Sequence, residues 1–163
     1  MNKTIPLRLL QEQSFDGSSW HGPNLRTSLA GVTPAEAVWS PGPGRPSIWQ
    51  IVLHCAYWKH RVWQRITGRR AAFPRQGKDW DMAVPAPSSE AWNRDRRMLH
   101  DVHARLTSAV DELPQGELES APDGQVRTRM LHVVGITLHD TYHAGQIRLL
   151  RKLYEGAAGV ASS

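Results

Sequence analysis

The chain has 163 residues, 40% hydrophobic and 21% charged, a balance that fits one soluble domain with a real core. Its net charge of +5 comes from 20 basic and 15 acidic residues, with short basic clusters at Arg69-Arg70 and Arg94 to Arg97. No zinc-finger, RNP-type or helix-turn-helix pattern accompanies them, no stretch nears the ~20 apolar residues of a membrane span, and Met1 to Leu10 lacks a signal-peptide h-region; with one cysteine, Cys55, the expected setting is cytoplasmic, away from nucleic acid and membrane.

In chain order, Thr4 to Gln13 reads as a short helix that ends in the polar stretch Ser14 to Ser19. His21 to Leu29 places Leu25 and Leu29 at helical spacing, with Gly31 as the stop. Thr33-Pro34-Ala35-Glu36 predicts an N-cap with proline at the first helical position, starting a short turn to about Trp39. Ser40 to Pro46 is a loop by composition. Ser47 then caps the first long helix, Ile48 to about Thr67, whose Ile48, Ile51, Val52, Cys55, Trp58, Val62 and Ile66 trace one apolar stripe before Gly68 ends it.

Arg69 to Pro87 is proline-rich and irregular, with Trp80 as its anchor. A second long helix starts at Ser88-Ser89-Glu90 and reaches about Leu113, burying Trp92, Met98 or Leu99, Val102, Leu106 and Val110. Pro114 to Gly124 is turn-rich. A last long helix runs from near Thr128 to about Tyr154, and the tail from Gly156 is expected to fray. With no strand-like alternation of useful length, the fold class is all-α, a four-helix bundle with long crossover connections, in a single domain over 1–163. Seven tryptophans against two phenylalanines suggest indoles lining a core or cavity.

The chemistry points to His139-Asp140-Thr141-Tyr142-His143 on the last helix. Histidines four apart lie one turn above each other and can share one metal ion. His54, at the edge of the first long stripe, supplies a third ligand from a facing helix, and a three-histidine metal keeps a position open for water or substrate. Leu131, Val134, Leu138, Ile51 and Trp58 are expected to shield the ion. Each histidine also has a plainer reading as a hydrogen-bonded core residue. His100 and His103 are expected to face solvent, His60 to point elsewhere, and His132 to border the cavity. The zincin motif needs Glu after the first histidine, where this chain has Asp140, expected instead to orient the helix or pair with an arginine. The diiron Glu-x-x-His pattern is absent. Cys55 adjoins His54 but points about 100° away around the helix, so it is not expected to be a ligand.

Trp20-His21-Gly22-Pro23, Pro43-Gly44-Arg45-Pro46-Ser47-Ile48-Trp49, His54 followed by Trp58, and His139 through Ala144-Gly145-Gln146-Ile147 together resemble the DinB-like superfamily, over about Leu7 to Leu153. That group includes YfiT-like metal-dependent hydrolases and thiol-dependent transferases. The resemblance implies a homodimeric four-helix bundle with a long crossover and a divalent metal, zinc or nickel, on His54, His139 and His143. Gly145 then reads as a close helix-packing position, and Gln146 either as a hydrogen-bonding group at the cavity or as a packing cap.

Two classes of function follow. The chain is an enzyme acting on a small molecule, a hydrolase or a transferase using a low-molecular-weight thiol, with Asp140, Tyr142 or His132 as candidate acid or base. Alternatively it is a non-catalytic, stress-linked metal-binding protein. The absence of an obvious cavity Glu leans towards transfer, because a metal acidifies a thiol without a strong protein base.

Overall fold

The computed structural model describes residues 4–114 and 116–161. Six α-helices and two 3-10 turns make up its regular structure, and no strand occurs among the described residues. The helices are α1 (Thr4–Phe15), α2 (Leu25–Ser28), α3 (Pro34–Val38), α4 (Ile48–Thr67), α5 (Ser89–Asp111) and α6 (Arg129–Ala161); the 3-10 turns are Asp79–Asp81 and Glu117–Glu119. The four long helices pack as a ring in which α4 touches α5 and α6, and α1 touches the same two. Thus α1 and α4 sit diagonally, and α2 and α3 lie in the long crossover between them. None of these helices is long and apolar enough to cross a membrane.

The helix ends follow their capping residues. The Thr33 hydroxyl accepts from the Glu36 amide, and Ser88 from the Ala91 amide. Ser47 and Gln50 form a reciprocal capping box, which satisfies two otherwise unpaired N–H groups and fixes where α4 begins. Gly68, at φ 70°, closes α4 in the left-handed conformation that costs glycine little. At its far end α6 runs beyond the expected stop at Tyr154 to Ala161.

The core falls into two apolar clusters. One gathers Trp49, Val52, Ala56, Trp92, Val102 and Ile147, and the other gathers Val62, Ile66, Leu106, Val110, Val133 and Ile136. Between them, on α4, α5 and α6 respectively, lie Lys59, His103 and Asp140, all buried. Lys59 donates a short hydrogen bond to the Asp140 carboxylate and approaches His103 Nδ1 at 3.1 Å. Phe15 of α1 stacks on the His103 ring at 3.6 Å and lies 4.9 Å from the Lys59 ammonium. A buried charge costs several kcal/mol unless it is paired, so each of these polar groups depends on partners that other helices supply.

Trp49, Trp63 and Trp92 are buried, as the composition suggested. Trp49 donates to Asp95 and Trp92 to the Val32 carbonyl, so these two buried indole N–H groups have acceptors. Trp20, 90% exposed, takes no part in the core.

Candidate metal centre

Antiparallel packing of α4 against α6 brings the three predicted histidines together. The Nε2 atoms of His54 and His139 are 2.9 Å apart, and those of His139 and His143 are 3.1 Å apart. The ligand atoms of all three lie within 4.8 Å of one another. His54 and His143 are buried and His139 is half-buried.

The outer nitrogens decide what the inner ones can do. His54 Nδ1 lies 2.5 Å from Asp79 Oδ1, and a carboxylate only accepts, so Nδ1 carries the proton. His143 Nδ1 lies 2.6 Å from Gln146 Oε1, again an acceptor, and Gln146 in turn donates to the Tyr142 hydroxyl at 2.9 Å. In the neutral rings both Nε2 atoms therefore present lone pairs towards His139. Burial, followed by the neighbouring histidines, holds His139 down to about 3; burial, followed by His54, holds His143 down to about 4. His54 is lowered by burial against the opposing pull of Asp79. One proton on His139 Nε2 can satisfy only one of its two neighbours. Neutral, converging imidazole nitrogens, with the outer N–H groups of His54 and His143 held by acceptors and His139 Nδ1 buried without a partner, form a donor set that a divalent cation takes, and the two Nε2 separations lie a few tenths of an ångström below the ~3.3 Å edge of a tetrahedral zinc–imidazole centre. The residues fit the metal.

Asp79 belongs to a segment read from the sequence only as irregular. Its 3-10 turn packs on α4, placing Asp79 Oδ1 also 3.0 Å from the Trp58 indole nitrogen. Asp79 has φ 51°, a left-handed conformation that Asp tolerates better than most residues. Next to it Trp80, the expected anchor, stacks on the His54 ring at 3.8 Å and 18°. One three-residue turn thus supplies both the hydrogen-bond acceptor and an apolar lid. The only hint in the sequence was a tryptophan flanked by two aspartates inside a proline-rich stretch.

Other expectations change. Leu131 and Leu138 are exposed rather than shielding, because the histidines occupy the edge of the buried face and the leucines lie beyond it. Trp58, as expected, stays beside His54, and Trp80 joins it by stacking on that ring. Ile51 is buried in the apolar core, and Val134 is half-buried beside the second cluster. Asp140 pairs with Lys59 rather than an arginine, and burial raises it to about 6 against the pull of that lysine. His103 is buried, not solvent-facing, whereas His100 is exposed. His60 turns to the Ala71 carbonyl. Gly145 makes no close packing contact: a Cβ there would meet nothing within 4 Å, so the tight helix approach implied for it is absent within one copy. Gln146 proves to be the hydrogen-bonding partner of His143. Tyr142 is 64% exposed, and His132 lines a cleft beside His139. Cys55 is outside the three-histidine group, although its sulfur lies within 4.8 Å of ligand atoms on His139 and Asp140; burial raises its thiol well above the usual range.

The family model described as the DinB superfamily matches residues 19–147. The structure is similar to the crystal structure of a conserved protein from Enterococcus faecalis, with a TM-score of 0.71 at 18% identity over 96% of this chain and 99% of that one. That likeness concerns the fold. No curated protein matches the chain.

Proposed function

The chain belongs to the DinB superfamily, and from that premise we propose that it binds a divalent metal, zinc or nickel, through His54, His139 and His143 and acts as a metal-dependent enzyme on a small molecule. The observation carrying this reading is the pair of outer hydrogen bonds, Asp79 to His54 and Gln146 to His143, that turn the inner lone pairs to one point. A metal held there supplies a Lewis acid that lowers the pKa of a water or thiol at its open position.

The protein's own contribution is orientation and exclusion of water. Asp79 keeps the proton on His54 Nδ1, the Tyr142–Gln146 pair does so for His143, and Trp80 covers the His54 ring. The choice within hydrolase and thiol transferase rests on available bases. Asp79 is engaged by His54 and Trp58, and Asp140 is sealed against Lys59. A low-molecular-weight thiol needs neither, so thiol transfer is the favoured chemistry.

A homodimer is part of the same proposal. Leu138, Tyr142, Gly145 and Leu149 recur at spacings of four, three and four along α6, and all four are exposed. That periodicity suits knobs-into-holes packing with a second copy of the helix, and the bare Gly145 would let it approach closely.

Elemental analysis of untagged protein beside His143→Ala tests the metal. Near-stoichiometric zinc or nickel in the parent and its loss in the variant are expected. A parent that takes up neither, even after incubation, overturns the reading. Metal without turnover of any thiol–electrophile pair would leave a binding protein.

A further inference from the structure

We propose that the cleft running from His139 between α4 and α6 is a binding site for an amphipathic anion: a small molecule with an apolar body and an acidic end, carboxylate or phosphate monoester, that Arg65 and Arg127 receive. This rests on the metal reading above for the chemistry at the His139 end, and names the class of substrate.

The helices lay the cleft out in order. His54 meets His139 at one level, and the Arg129 guanidinium donates to the Ile66 carbonyl further along, so descending α4 means ascending towards the start of α6. His139 therefore stands at one end of the cleft and Arg65 and Arg127 at the other, with Trp58, Val62 and Ile136 between them. The space measures about 230 Å³, room for a small molecule and not for a polymer.

Its floor is left open by Gly135, one turn before His139. A Cβ at Gly135 would meet nothing within 4 Å, so no packing contact requires glycine there. Mid-helix glycine is less stable than alanine at the same position. What the missing side chain does provide is clearance beside His139.

The charge at the far end is not neutralised. Among the described residues neither Arg65 nor Arg127 is in an ion pair, whereas the adjacent Arg129 is held by Glu117. The Arg65 guanidinium lies 5.6 Å from the Trp58 ring, and that ring is 6.5 Å from His54, so the group leans back along the cleft towards the histidines. Burial first, and then the neighbouring Arg61 and Arg127 cations, push its pKa down. An anion placed between Arg65 and Arg127 relieves that repulsion and accepts charge-assisted hydrogen bonds. His132, also on the cleft, has a buried Nε2 with no hydrogen-bond partner.

The test titrates zinc-loaded protein with 6-mercaptohexanoate, 6-mercaptohexyl phosphate and 6-mercaptohexanol by calorimetry. At least one acid is expected to bind about tenfold more tightly than the alcohol, a difference of about 1.4 kcal/mol; whichever acid is tighter identifies the group. Arg65→Gln with Arg127→Gln should abolish that advantage while keeping zinc content and affinity for the alcohol. Arg127→Gln alone, on an exposed residue, should weaken it in part and guards against a folding defect at Arg65, which packs on Trp58. Equal affinities for acids and alcohol, or an advantage that survives in the double variant, overturn the proposal. The two readings fail separately. If the parent takes up no zinc, the metal reading fails, and the same titration on metal-free protein decides this one: acid binding dependent on Arg127 sustains it, and no such binding ends it.

Discussion

His54 Nδ1 and Asp79 Oδ1, 25 residues apart in the chain, meet at 2.5 Å with the Trp58 indole sharing the same carboxylate oxygen. This contact converts a histidine on the edge of a helix stripe into an oriented donor. An acceptor on the far ring nitrogen fixes the tautomer and raises the basicity of the nitrogen that faces the cation.

Asp79→Asn tests that contact. Asn adopts the same left-handed backbone, so the turn should survive. Metal affinity is expected to fall about 10–100-fold. Competition with a chelator measures it, and an unchanged affinity would show that Asp79 does not support the centre.

The buried layer gives a second prediction. Lys59→Met leaves Asp140 without its cation in the core and is expected to cost about 3–5 kcal/mol. Adding Asp140→Leu should restore most of that, because an apolar pair fills the same space without a charge. Urea unfolding of the two variants decides whether Lys59 and Asp140 stabilise as a pair or singly.

Acid sensitivity follows from the histidines. His103 is held down to about 2, by burial first and then by the Lys59 and His100 charges, and His139 and His143 to about 3 and 4. Above pH 6.5 these groups are neutral whether the chain is folded or not. Below it the unfolded chain takes up protons that the folded chain refuses, so stability is lost as pH falls from 6.5 towards the folded values. Asp140, raised to about 6, has the opposite sign, gaining stability as pH falls from 6 towards 3.8, but it is one group against three. Thermal melts of metal-free protein should therefore shift down between pH 7 and pH 5. His103→Gln, which keeps an acceptor for Lys59, should flatten that slope; an unaltered slope would remove His103 from the account.

The outward stripe of α6 yields the fourth. Leu138→Glu combined with Leu149→Glu places like charges across a two-fold contact, where they repel. Sedimentation is expected to give a dimer for the parent and a monomer for the variant, with metal content unchanged. A monomeric parent would rule out the α6 pairing.

The sequence by itself determined the helices, their caps and the three histidines. Those signals are local: a threonine or serine before a helix, glycine after it, apolar residues at spacing three and four, and two histidines one turn apart are each set by the geometry of a single helix. His54 could be matched to that pair because its motif and position resemble the family's. The tertiary structure alone decided what surrounds them. Asp79 and Trp80 reach His54 through a loop with no periodicity to read. His103 looked like a surface residue because, taken singly, it is polar, and the partner of Asp140 could not be read from one helix; Lys59, His103 and Asp140 are buried because three helices bring them together, and a charge enters a core only when its partner arrives from elsewhere in the chain. Leu131 and Leu138 looked buried for the converse reason. A stripe read from one helix gives its direction but not its width, and which edge faces solvent is settled by the neighbours that pack against it.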